Sequence, residues 1–119
     1  MFEIKVSTEF SAAHSLRGYK GKCEALHGHN WKVEIEVSSK KLNKLGMVVD
    51  FKELKYKVNQ ITTQLDHKHL NALSFFKKVN PTSENIAKYI YDNLKSQVVS
   101  LKSITVWESE NSCTTYYEE

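Results

Sequence analysis

The chain is poor in the residues that break or cross-link a backbone: its 119 positions hold one proline, four glycines and two cysteines. So little Pro and Gly excludes a collagen-like or low-complexity segment, and no internal repeat or linker-like stretch is visible. Two cysteines cannot build a disulfide framework and are expected as free thiols. No apolar run approaches the ~20 residues that would span a membrane. Arginine is nearly missing, with Arg17 alone beside sixteen lysines. Lys40, Lys41, Lys44, Lys52, Lys55 and Lys57 are interspersed with acids, and no aromatic-interleaved basic stripe appears. A nucleic-acid surface is therefore not expected, whereas a net charge of +3 suits an anionic small substrate. The opening MFEIKVSTEF alternates polar and apolar residues with no basic start before an apolar block. It reads as a strand and not as a signal peptide, which points to the cytoplasm.

What is present is periodic. One domain is expected from the length. Phe2, Ile4, Val6, Phe10 and Ala12 share a strand face that Thr8 interrupts, and His14 falls on the same parity. Trp31, Val33, Ile35 and Val37 share the face of a second strand, and stepping back by twos reaches His29 and His27. Asp50 as N-cap with Glu53 three residues later opens a helix whose core face is Phe51, Leu54, Val58, Ile61 and Leu65. A second helix is expected to start near Asn80-Pro81, with Ile86, Ala87, Ile90 and Leu94 inward. Two last strands place Ile104, Val106 and Glu108 on one face and Cys113, Thr115 and Tyr117 on another. The order ββααββ predicts an α+β fold, a four-stranded antiparallel sheet with two helices on one face.

The histidines carry the first chemical signal. His27 and His29 on one strand face, with His14 in phase on the neighbour, can offer three imidazoles to one ion and leave a fourth position open, as in catalytic zinc sites. Gly28 between the pair is expected to keep the space beside the ion clear. Three imidazoles and a non-redox reaction favour zinc. Cys23, four residues before His27, is open to two readings. It is a fourth ligand of a closed structural site, or a thiolate base or nucleophile beside the ion. Asp66 and His67 at the end of the first helix can form a carboxylate–imidazole pair that orients the ring. His69 is expected at the surface, and Cys113 as buried filler. Glu108 is an acid on an apolar face, which requires a partner.

Six stretches, FSAAHSL, CEALHGHNW, MVVDF, LDHKHLN, NPTSENIA and VWES, occur in order from residue 10 to residue 109. Together they resemble the 6-pyruvoyltetrahydropterin synthase superfamily. The resemblance implies a tunnelling fold in which three ββααββ subunits join their sheets into a barrel, and two trimers stack as a homohexamer with sites at subunit interfaces. A polar site buried in so short a chain fits such an assembly, since a domain this small leaves about a third of its unfolded surface exposed. By the same resemblance His14, His27 and His29 match zinc ligands, Cys23 the proton-abstracting thiol, and Asp66 with His67 its partner dyad. Glu108 matches the acid that grips the pterin edge, and Thr82, Ser83 and Glu84 match residues neighbouring the substrate. Three residues, Glu24, Ala25 and Leu26, separate Cys23 from His27, as in the family's 6-carboxy branch; five are typical of its 6-pyruvoyl branch. The implied reaction takes 7,8-dihydroneopterin triphosphate to 6-carboxytetrahydropterin, acetaldehyde and triphosphate, toward queuosine and other 7-deazapurines. The alternatives are triphosphate elimination without carbon–carbon cleavage, a zinc-stapled interaction module, and a Cys23–His67–Asp66 thiol hydrolase.

Overall fold

Two thirteen-residue strands, β1 (Phe2–His14) and β2 (His27–Ser39), set the frame. The computed structural model, which describes residues 1–21 and 24–119, pairs them antiparallel from Phe2 opposite Ser39 to His14 opposite His27. Helix α1 (Phe51–Leu65) comes next, then a two-residue strand β3 (Lys68–His69), helix α2 (Ser83–Leu94), β4 (Leu101–Ser109) and β5 (Ser112–Tyr116). The strands lie side by side in the order β3-β1-β2-β4-β5. Alternation sends Val6, Phe10 and Ala12 of β1, Trp31, Val33, Ile35 and Val37 of β2, and Ile104 and Val106 of β4 into one core. The helices cover that face, α1 against β1 and α2 against β4 and β5. They contribute Leu54, Val58, Ile61 and Leu65, then Ile86, Ala87, Ile90 and Leu94, all buried. Each of these leucine, isoleucine and valine side chains stabilises the fold by about 1.5–3 kcal/mol through burial. The other sheet face carries Lys5 opposite Glu36 and Glu9 opposite Lys32, a polar surface that no described element covers.

The α+β layout with both helices on one side is as expected, and local signals placed the first helix well. The Asp50 side chain accepts from the Lys52 N–H at 2.8 Å, closing one orphan donor of α1. Four details differ. The sheet has five strands and is mixed, because β3 runs parallel to β1, Ala12 opposite Lys68 and Ala13 opposite His69. A left-handed turn at His67 (φ 58°) reverses the chain so that it lies along the free edge of β1. Second, α2 begins at Ser83 with Thr82 as its N-cap, the hydroxyl accepting from Asn85 N–H at 3.1 Å. Pro81 therefore precedes the helix instead of opening it. Third, Phe51 is 55% exposed, since at the first helical position it lies beyond the edge of the core. Fourth, Cys113 is exposed, because it sits opposite Trp107 and so on the uncovered face of β5.

Candidate metal centre

Three strands bring their polar ends together at one pole of the core. His14 closes β1, His27 and His29 open β2, and Glu108 lies near the end of β4. All four continue the buried parity of their strands, so the alternation that fills the core also delivers these side chains to its rim. The hairpin register sets His27 opposite His14 and His29 opposite Ala12. One donor atom from each of His14, His27, His29 and Glu108 lies within 4.8 Å of all the others. Beneath them lies the Trp31 indole, edge-on to His14 at 4.9 Å and to His29 at 5.2 Å between ring centroids. Trp31 is fully buried, its Nε1–H donating to Ala12 O at 3.2 Å, and it stacks on Phe10.

The partners of each ring fix the proton positions. His14 Nδ1 lies 2.7 Å from Pro81 O, and His27 Nδ1 lies 2.9 Å from Ala25 O. A carbonyl only accepts, so both Nδ1 atoms carry the hydrogen and both Nε2 atoms bear lone pairs. Those two Nε2 atoms face each other at 3.1 Å, an arrangement that repels unless a cation lies between or beside them. His14 is 2% exposed. His29 Nε2 is buried without a hydrogen-bond partner, 3.1 Å from Glu108 Oε1 but without hydrogen-bond alignment. Burial pushes the His29 imidazole below its ordinary value, with the Glu108 carboxylate acting in the opposite sense. A divalent ion bound here would satisfy these atoms. The donor set fits zinc: two nitrogens on a tetrahedron with bonds of about 2.0–2.1 Å are about 3.3 Å apart.

Glu108 is the member whose place in this cluster its sequence position did not announce. Its Oε1 is also 3.7 Å from His14 Nε2, so it stands as a fourth donor as well as an acid at the mouth of the site. Gly28 does not clear space for an ion. It points to the opposite sheet face from its histidine neighbours, and a Cβ there would meet only Ala12 O at 3.8 Å.

The other candidate residues fall around this cluster. Cys23 lies outside the described residues. Asp66 and His67 do form a pair, His67 Nδ1 to Asp66 Oδ2 at 3.0 Å. The Ser11 N–H donates to Asp66 Oδ1 at 2.8 Å and holds this carboxyl below the usual carboxylate range, with His67 acting in the same direction. Ser11 is three residues back from His14, roughly 10 Å along a strand. The His67 side chain is 83% exposed at that outer edge, where His67, Lys68 and His69 line an open cleft of about 550 Å³ with Ser11, Asn30 and His29 of the cluster. Thr82 is occupied in capping α2, while the Ser83 hydroxyl donates to Glu84 Oε1 at 3.0 Å and lies 2.8 Å from Thr114 Oγ1. This turn adjoins the cluster through Pro81 O.

Relatives share nearly the whole length of this chain. A protein of Archaeoglobus fulgidus, provisionally named 6-carboxy-5,6,7,8-tetrahydropterin synthase, is 44% identical over 108 residues, 91% of this chain and 89% of its own. A dihydroneopterin monophosphate aldolase of Pyrococcus furiosus is 36% identical over 102 residues, 83% of this chain and 82% of its own. The structure of 6-pyruvoyl tetrahydropterin synthase from Caenorhabditis elegans superposes with a TM-score of 0.87 at 27% identity, covering 99% of this chain and 96% of that one. Residues 3–119 match the profile of the 6-pyruvoyl tetrahydropterin synthase family, and the chain belongs to that family.

Proposed function

We propose that this chain is a zinc-dependent lyase that converts 7,8-dihydroneopterin triphosphate and water to 6-carboxy-5,6,7,8-tetrahydropterin, acetaldehyde and triphosphate. The observation that carries the reading is the cluster of three imidazoles with bare or unpartnered Nε2 atoms and the Glu108 carboxylate beside them. His14, His27 and His29 would hold the ion. Bound there, zinc supplies Lewis acidity to the oxygens of the substrate side chain and makes the adjoining C–H and O–H bonds more acidic.

The chain's own groups divide the remaining work. Glu108, partly exposed at the rim, accepts hydrogen bonds from the amino-pyrimidine edge of the pterin and fixes its orientation. Cys23, as thiolate, removes one proton from the side chain. Asp66 accepts a hydrogen bond from Nδ1–H of His67 and leaves Nε2 of that ring free to move a second proton. Thr82, Ser83 and Glu84 border the substrate. Triphosphate leaves by elimination, water adds at the side-chain carbon next to the ring, and a retro-aldol-type step breaks the carbon–carbon bond beyond it, leaving the carboxylate and releasing acetaldehyde. Because the His67 side chain stands 83% exposed at the outer edge of β1, a working site is completed between copies, as in a hexamer built from two trimers. The uncovered edges at β5 and along most of β1 provide the strands for such joining. The product is a precursor of queuosine-type 7-deazapurines, made in the cytoplasm.

The three-residue gap from Cys23 to His27 and the 44% identical relative favour the 6-carboxy product. A second reading, aldol cleavage of a dihydroneopterin monophosphate, is favoured by the 36% identical relative. Anaerobic incubation with the triphosphate and, separately, the monophosphate distinguishes them. Acetaldehyde and triphosphate released together support the proposal. A 6-pyruvoyl product without acetaldehyde moves the chain to the other branch, and turnover of the monophosphate alone selects the aldolase.

A further inference from the structure

Two asparagines within the motifs LDHKHLN and NPTSENIA have a task that neither metal nor substrate binding assigns. Past His14 the backbone continues as Ser15, Leu16 and Arg17 outside any strand. Asn71 Oδ1 accepts from Ser15 N–H at 2.9 Å, and Asn71 Nδ2 donates to Ser15 O at 2.8 Å. Asn80 repeats this on Arg17, accepting from its N–H at 2.9 Å and donating to its carbonyl at 3.0 Å. Each amide reproduces the double exchange of an antiparallel strand pair. Leu16, between them, is served by Glu24, whose N–H donates to Leu16 O at 2.9 Å. The two amides, with Glu24 between them accepting from Leu16 N–H through Oε1 at 3.3 Å, therefore carry the strand pairing on for three residues beyond His14, and the backbone groups of that stretch are partnered.

The two asparagines differ in their neighbours. Next to Asn80 is Pro81, whose carbonyl accepts from His14 Nδ1–H. The surrounding loop is sewn to the same place, because the Arg17 guanidinium donates to the carbonyls of Phe76 and Val79, and the Asn80 carbonyl accepts from Asn85 Nδ2 at 2.8 Å. We propose that Asn80 is a positioning residue of the metal centre: paired to Arg17, it holds the Pro81 carbonyl on His14 and keeps Nε2 of that ring bare and aimed at His27. The proposal rests on reading the three histidines as a metal centre. Partners that fix the tautomer of a ligating histidine typically account for about 10- to 100-fold in metal affinity. Without the carbonyl, the His14 ring is free to carry its hydrogen on Nε2, where it blocks ligation.

Zinc affinity measured by competition with a chromogenic chelator tests this, with thermal unfolding of each metal-free protein recorded alongside. Asn80→Ala is expected to lose about 10- to 100-fold in zinc affinity. Asn80→Asp keeps the acceptor for Arg17 N–H but not the donor to its carbonyl, so it falls between; it carries the comparison if Asn80→Ala does not fold. Asn71→Ala loses an equivalent pair but leaves Pro81 in place, and is expected to bind zinc nearly as the unaltered protein does. A folded Asn80 variant with undiminished zinc affinity overturns the proposal, as does an Asn71→Ala loss as large as that of Asn80→Ala. If the unaltered protein binds no zinc, the metal-centre reading itself fails.

Discussion

His14 and His27 face each other Nε2 to Nε2 at 3.1 Å, each with its Nδ1 hydrogen already committed to a backbone carbonyl. Two lone pairs held that close by a thirteen-residue hairpin register suit a shared cation and have almost no other stable use. His27→Ala is expected to lose more than the roughly 10- to 100-fold in zinc affinity typical of losing a mere supporting partner. Cys23→Ala should retain the metal and lose about a hundred- to ten-thousand-fold in turnover. Elemental analysis of purified variants, with product formation measured for Cys23→Ala, checks both, and zinc lost from Cys23→Ala would favour the closed structural site.

Glu108 is placed to act on the ion, on the pterin, or on both. On the reading proposed, Glu108→Ala keeps zinc and weakens pterin binding, because a charged acceptor for the amino-pyrimidine edge is gone. Equilibrium binding of a non-reactive pterin and zinc content, measured on the same preparation, separate the roles. Zinc lost together with pterin affinity would make Glu108 a ligand.

The Asp66 carboxyl titrates below its ordinary value because Ser11 N–H and His67 favour its charged form. A depressed carboxylate stabilises the folded state above its unfolded pKa of about 3.9 and loses that contribution as pH falls through the folded value. Metal-free unaltered protein should therefore melt higher than metal-free Asp66→Asn near neutral pH, with the gap closing below about pH 4. A gap that persists unchanged at about pH 2–3 would mean that charge at Asp66 is not the cause.

Trp31 lies under His14 and His29 with no solvent exposure. Trp31→Ala should cost about 3–5 kcal/mol by leaving a cavity in the core. Trp31→Phe keeps an aromatic floor but gives up the bond to Ala12 O, so its cost should be clearly smaller. Denaturant unfolding of the metal-free proteins gives both values.

What the sequence determined by itself is what repeats at short range. A two-residue step along β1 and β2 necessarily puts His14, His27 and His29 on the side that also carries Phe10 and Trp31, so the cluster was legible before any pairing was known. The Asp50 cap of α1 was equally local, because its bond closes within two residues. The tertiary structure alone decided the rest. Glu108 joins the cluster only because β4 pairs with β2, Val106 opposite Val33, two strands separated in the chain by both helices. The Pro81 carbonyl reaches His14 across sixty-seven positions, and no periodicity marks a backbone oxygen as a partner. The parallel strand β3 is two residues long, too short to show alternation, and exists because β1 offered an open edge where α1 ended. Phe51 had the right spacing for the core but lay past its boundary, and Cys113 turned outward with the parity of β5. Periodicity specifies which side of an element a residue occupies; what waits on that side is specified by the packing of elements distant in sequence.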